Sequence, residues 1–201
     1  SGDDRIDGGL DSDNINGGDG NDTLLGNFGD DLLNGMAGND SLLGGSGQDI
    51  MLGGAGMDTL DGGRNNDTLR GQAGNDTLRG NHGDDLLEGD DGNDELVGGD
   101  GNDTIRGSNG NDGIAGGDGD DLLIGGLGED TIRGEDGNDT LRGGGGKDTL
   151  VGDQGIDVLN GNGGTDLGVT GQGIDPTPIR VEIIDENFTL SVAMLLNLDG
   201  V

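Results

Sequence analysis

An aspartate stands at every ninth position of this chain from Asp4 to Asp175. The series is Asp4, Asp13, Asp22, Asp31, Asp40, Asp49, Asp58, Asp67, Asp76, Asp85, Asp94, Asp103, Asp112, Asp121, Asp130, Asp139, Asp148, Asp157, Asp166 and Asp175, without a gap. Asp and Glu together number 42 of 201 residues, too few for chance to produce such a run. Two residues after each Asp stands an aliphatic: Ile6, Ile15, Leu24, Leu33, Leu42, Met51, Leu60, Leu69, Leu78, Leu87, Leu96, Ile105, Ile114, Leu123, Ile132, Leu141, Leu150 and Leu159, with the first failure at Gly168. Five residues before each Asp, from Gly8 to Gly161, there is always glycine; two before, there is glycine except at Asp11 and Asn65. The unit is Gly-Gly-x-Gly-x-Asp-x-aliphatic-x, and Gly17–Leu25, Gly98–Arg106 and Gly116–Ile124 are full copies. Its nine positions are numbered one to nine below, so that Asp holds position six. A short fixed period points to a solenoid, in which each unit packs only on its neighbours.

Composition narrows the choice further. Glycine supplies 51 residues, and Phe28 and Phe188 are the only aromatics. A core of interleaved aromatic and aliphatic side chains cannot be built from that. The formal charge is −33, and by composition alone such a chain reads as disordered. The same charge argues against nucleic acid and anionic membrane as partners, which select basic surfaces. Cysteine is absent, which excludes a disulfide framework and thiolate metal sites. No run of 18 apolar residues offers a membrane span, and no N-terminal signal peptide is visible. The chain opens in register on Ser1-Gly2-Asp3-Asp4, and is expected to be a piece of a longer protein.

Positions seven to nine, such as Thr23-Leu24-Leu25, alternate outward, inward, outward. That predicts a very short strand with one buried side chain, and positions one to six predict a turn in which glycine permits positive φ and close backbone approach. Two units complete a coil of 18 residues, so the repeats give about nine coils, stacked about 4.8 Å apart. The Asp residues then divide into two columns, one along each edge. One holds Asp22, Asp40, Asp58, Asp76, Asp94, Asp112, Asp130, Asp148 and Asp166. The other holds Asp13, Asp31, Asp49, Asp67, Asp85, Asp103, Asp121, Asp139 and Asp157.

The oxygen donors on offer are carboxylates and glycine carbonyls, beside one histidine, His82. Hard oxygen ligands in a flexible arrangement suit Ca²⁺ better than transition metals. Without a cation, two carboxylates about 5 Å apart repel by roughly 3 kcal/mol at an effective dielectric of 20. The metal-free chain is therefore expected to be disordered, with binding coupled to folding.

The repeat resembles the RTX (repeats-in-toxin) haemolysin-type calcium-binding nonapeptide family, over residues 1–167. The resemblance implies an all-β fold: a right-handed parallel β-roll of two nonapeptides per 18-residue coil, with a C-terminal cap. It implies Ca²⁺ between successive turns, held by one Asp from each turn and by backbone carbonyls of the glycine-rich segment. The implied ligands are the Asp residues of both columns, Asp13 to Asp166. The implied carbonyls are those of Gly17, Gly20, Gly35, Gly38, Gly53, Gly56, Gly71, Gly74, Gly98, Gly101, Gly116, Gly119, Gly134 and Gly137. Nine turns per edge leave eight gaps, so about 16 ions are expected, carrying about +32 against the chain's −33. The family also implies export. The module would stay unfolded at cytosolic Ca²⁺ and fold as a structural part of a secreted or cell-surface bacterial protein.

Other features point elsewhere less strongly. Arg70, Arg79, Arg106, Arg133 and Arg142 all hold position nine, as outward side chains offsetting carboxylates or as a stripe for a carboxylated polysaccharide, resembling accessory modules of epimerases. His82 is expected to be solvated. The pairs Asp30-Asp31, Asp84-Asp85 and Asp120-Asp121 resemble glycosidase carboxylates, but the second of each belongs to a calcium column, and no enzyme activity is expected. Some family members bind ice through Thr at position three and Asn at position five. Here position five has Asn21, Asn39, Asn75, Asn93 and Asn111, but position three never has Thr. Residues 168–201 change composition and are expected to cap the roll, with one or two strands and a short helix near Val192–Leu198; part of a type I secretion signal is the alternative. Two further readings are a subunit that stacks end to end in an adhesin, surface layer or filament, and a carbohydrate-binding accessory to an extracellular enzyme.

Overall fold

The computed structural model of the chain describes residues 1–169 and the short strand Thr189–Leu190. Every regular element among them is a β-strand, and each repeat supplies one. Leucine is a good helix former, but glycine recurs too often for a helix to persist. Stacking settles the matter, because each strand pairs in parallel with the strand one coil away. Thr23, Leu24 and Leu25 face Ser41, Leu42 and Leu43, and the 18-residue offset is kept throughout the roll. The strands form two sheets, one of eleven strands and one of nine. Alternate repeats go to alternate sheets, so the chain crosses from one to the other at each turn. This is the expected parallel solenoid of about nine coils.

The position-eight aliphatics from both sheets fill the space between them. Those from Ile15 to Leu159 are all buried in one continuous core, and Ile6 packs against its end. At each level the core is a single layer of one side chain from each sheet.

The strands are longer than position eight alone suggested. Most run six residues, as in Thr23–Phe28, through positions one to three of the next unit. Only positions four to six turn. The alternation simply continues: the position-one glycine faces inward beside the aliphatic, and position two faces out. Glycine's preference for turns yields here to the pairing partner in the next coil. The tail is represented by Thr189–Leu190, which pairs in parallel with Leu167–Gly168 and extends the larger sheet. The helix expected near residue 192 lies outside the described residues, as does Asp175.

Candidate metal centres along the two edges

Each column Asp stands just before a strand, at the inner side of a turn, and is buried from Asp22 to Asp166. Its two carboxylate oxygens have different surroundings. Oδ1 accepts the backbone N–H of the column Asp one coil earlier: Asp76 N–H to Asp94 Oδ1 is 2.8 Å, and Asp85 N–H to Asp103 Oδ1 is 2.7 Å. This bond recurs along both columns, from Asp4–Asp22 to Asp148–Asp166. Oδ2 has no hydrogen-bond partner. Among the described residues, 17 such buried oxygens are left without one: every column Asp from Asp13 to Asp166 except Asp157. A buried carboxylate oxygen without a donor is costly, and native proteins leave few.

The position-one glycine explains where Oδ2 goes. A Cβ on Gly53 would stand 2.6 Å from Asp58 Oδ2 and 2.9 Å from the Gly71 carbonyl oxygen of the next coil. The same pair of oxygens surrounds Gly62, at 2.6 Å from Asp67 Oδ2 and 3.0 Å from the Gly80 carbonyl. Strand pairing also passes over this glycine: Leu25 pairs with Leu43 and Asn27 with Gly45, but Gly26 and Gly44 are not paired. At the turns, carbonyls of positions three and six accept backbone bonds between coils, as in Gly20 N–H to Ala37 O and Thr23 N–H to Asp4 O; those of position four do not figure among these acceptors. Thus one carboxylate oxygen and one glycine carbonyl converge beside each position-one glycine from Gly26 to Gly134. No group of three His or acidic side chains among the described residues converges on one point. Any cation here would be bound largely by carbonyls, as Ca²⁺ accepts and Zn²⁺ does not.

Burial pushes the column carboxyls from Asp31 to Asp157 upward from their usual range. Asp49, Asp58, Asp76, Asp103, Asp112, Asp139 and Asp148 are raised to about 6, and Asp67 and Asp121 to about 7. Desolvation is the largest cause. The N–H bond to Oδ1 pulls the other way, and neighbouring carboxylates in the column add to the rise. A group that resists ionising in the metal-free roll is one that a cation would relieve.

Position five holds a second row that the sequence reading did not assign to the backbone. Its side chain accepts the N–H of the position-five residue one coil later, the opposite sense to Asp. Asn111 N–H reaches Asn93 Oδ1 at 2.7 Å, and Asn102 N–H reaches Asp84 Oδ1 at 2.8 Å. The asparagines weighed for ice binding, and Asp30, Asp84 and Asp120 of the paired acids, serve in this row. Their enrichment in short-chain acceptors was the available signal.

The arginines are mostly occupied. Arg70 and Arg106 both pair with Glu88, the latter at 3.1 Å, and Arg133 pairs with Asp153 at 2.8 Å. His82 is exposed, with Nδ1 2.8 Å from Asp100 Oδ2.

Two stacked sheets with oxygen-lined edges define a calcium-binding β-roll. The RTX calcium-binding nonapeptide repeat (4 copies) matches residues 1–33, 25–60, 52–87, 61–96, 88–123, 115–150, 124–159 and 142–175. The chain belongs to that family, and it is a calcium-binding repeat module. A search of curated proteins gave no match.

Proposed function

We propose that the roll is a structural module of a secreted protein that folds when it meets extracellular Ca²⁺. The observation that carries this reading is the row of buried, unpartnered Asp Oδ2 atoms. Asn at position six would cap the same N–H through its amide oxygen, yet every repeat has Asp. The charge therefore serves something other than the hydrogen bond. In this reading the column Asp residues Asp13 to Asp166, with carbonyls of positions one and four, hold about 16 ions between successive turns. Calcium neutralises the columns and satisfies Oδ2, and its binding energy becomes folding energy. Below that calcium level the −33 chain stays unfolded, which suits passage through an export channel. The role is structural; no residue is assigned to catalysis.

Far-ultraviolet circular dichroism of the full chain tests this. A coil spectrum is expected in excess EGTA and a β spectrum in millimolar Ca²⁺. A β spectrum that survives exhaustive chelation would sink the proposal.

A further inference from the structure

One step of the stack differs from the others. The position-five bonds run from Asp3 to Met57 on one edge and from Ser12 to Gln48 on the other. They resume at Asn75 and Asn66, and continue to Glu129 and Ile156. Met57 offers no side-chain oxygen, and the Gln48 amide does not reach the N–H of Asn66. One edge loses the bond again beyond Glu129, at Lys147 and Thr165, but among the described residues both edges are seen to lack it together only between the coil of Gln48 and Met57 and the coil of Asn66 and Asn75. A second observation falls there. Gly47 N–H to Arg64 O is 3.4 Å, whereas the same bond elsewhere lies between 2.7 and 2.9 Å. A third is Asn65, one of two non-glycine residues at position four, held at φ 74°.

On the turns the step is still crossed by the calcium columns, Asp49 N–H to Asp67 Oδ1 and Asp58 N–H to Asp76 Oδ1, each 2.8 Å, and by the backbone bonds Gly56 N–H to Ala73 O at 2.8 Å and Thr68 N–H to Asp49 O and Thr77 N–H to Asp58 O, each 2.9 Å. The two sides also differ. The cross-coil ion pairs Arg70–Glu88–Arg106 and Arg133–Asp153 lie on the C-terminal side. The N-terminal side exposes Leu10, Phe28, Met36, Leu43, Ile50 and Met57, against Leu127, Ile156 and Leu167 on the longer C-terminal side.

We propose that this step is an internal boundary dividing the roll into two calcium-responsive blocks, one ending at Met57 and one starting at Asn66. In a solenoid the stability of each coil is its own plus that of its contacts with two neighbours, so a weak interface uncouples what lies on either side. The N-terminal block requires more calcium, because it lacks the ion pairs and leaves more apolar surface in water. The proposal rests on calcium-coupled folding.

Hydrogen exchange of the full chain, read by mass spectrometry across a calcium titration, tests it. Two protection midpoints are expected, the N-terminal one at higher Ca²⁺; one net hydrogen bond is about fivefold in an equilibrium constant, and shared among the several ions of a block it separates the midpoints by less than about twofold. The double variant Gln48→Asn/Met57→Asn restores an acceptor on each edge and should merge them. The reverse variant, Asn93→Ala/Asn102→Ala, removes both bonds from one step inside the second block and should split that block. A single midpoint in the native chain, midpoints that stay apart in the restored variant, or a second block left whole by the reverse variant overturns the boundary. Should protection be indifferent to calcium, calcium-coupled folding fails instead. The boundary is then read in a urea series, where two transitions keep it and one removes it.

Discussion

Positions five and six of each turn are chain neighbours with similar backbone tasks and opposite tolerance. Asn93 Oδ1 accepts an N–H from the coil after it, and Asp94 Oδ1 accepts one from the coil before it. Between them they tie each turn to both of its neighbours. Yet position five carries Asn, Asp, Ser, Gln, Met, Glu, Lys, Ile or Thr, while position six carries only Asp. Position five is exposed, so a lost bond is replaced by water at little cost. Position six is buried, and its second oxygen has no protein partner at all. A hydrogen-bonding role would have let Asn into the column somewhere in so many repeats. The uniform choice of a charged group in a dry place points to the ion it faces.

The largest expected effect comes from pH, because it acts on the whole column at once. Folded carboxyls such as Asp67 and Asp121 sit at about 7, whereas in the unfolded chain they return to the ordinary carboxylate range near 4. The metal-free roll therefore holds more protons than the coil between about pH 4 and 7. Its protonation-dependent stability is fully present below about pH 4 and is lost as the pH rises through 6 to 7. In EGTA, β signal should grow as the pH is lowered from 7 toward 4. With calcium present the same protons compete with the ion, so the folding midpoint should move to higher Ca²⁺ over the same range. Circular dichroism at several pH values reads both. At position five Asp120 is shifted the other way, held below the usual carboxylate range by the backbone N–H and side-chain amide of Asn138.

Next in size is Asp94→Asn. The amide oxygen keeps the bond from Asp76 N–H, so only the charge at Oδ2 is lost. In saturating calcium this should cost roughly 1.5–3 kcal/mol, the range for a bond to a charged partner. In EGTA the sign should reverse, because burial of a carboxylate that resists ionising has been removed. Thermal melts in calcium measure the first sign; the second is read in EGTA as a shift of the acid-induced β signal to higher pH. A loss of equal size in both conditions would reduce Asp94 to a backbone cap, and with it the contrast between the two rows.

Much of this was legible in the sequence because every repeat states it again. The core from Ile15 to Leu159 follows from position eight alone, and the two Asp columns follow from a coil of two units. Strand length was not legible. Gly26 and Asn27 read as turn residues, and only the partner strand 18 residues away makes Asn27 pair with Gly45. The division of labour between Oδ1 and Oδ2 was hidden for the same reason, since the donor belongs to another coil. The position-five row was visible as a run of Asn and Asp, but its acceptor sense depends on stacking. Glycine's two expected roles, positive φ and close approach, prove to belong to different positions. At position two it supplies positive φ, which Asn27, Met36 and Ser108 also adopt. At position one its φ is not positive, and what matters is the missing Cβ.

That distinction gives the next effect. Gly62→Ala puts a methyl against Asp67 Oδ2 and the Gly80 carbonyl, the two oxygens assigned to the ion. Overpacking of this kind costs roughly 1–3 kcal/mol, and displacement of the oxygens should raise the calcium midpoint as well. Gly18→Asn is the matched control. Its φ is +108°, a Cβ there meets nothing within 4 Å, and Asn tolerates the left-handed region. It should cost less than about 1 kcal/mol and leave the calcium midpoint in place. Equal shifts from the two variants would mean that glycine matters here only for backbone freedom.

The smallest effect belongs to the outer row itself. Asn93→Ala removes the acceptor of the Asn111 N–H, on an exposed edge where water takes its place. The expected cost is about 0.5–1 kcal/mol, and because the Asp120 N–H to Asn102 bond on the other edge of that step remains, the block should keep a single calcium midpoint. Asn93→Asp keeps the oxygen and should keep the stability, although it adds a negative charge to a strongly acidic edge. Position six would not forgive the reverse exchange, Asp94→Asn, in calcium. Melting curves of Asn93→Asp and Asp94→Asn at saturating Ca²⁺ set the two neighbours side by side. If the outer exchange costs as much as the inner one, then charge and not position governs this edge, and the buried oxygen loses its special place.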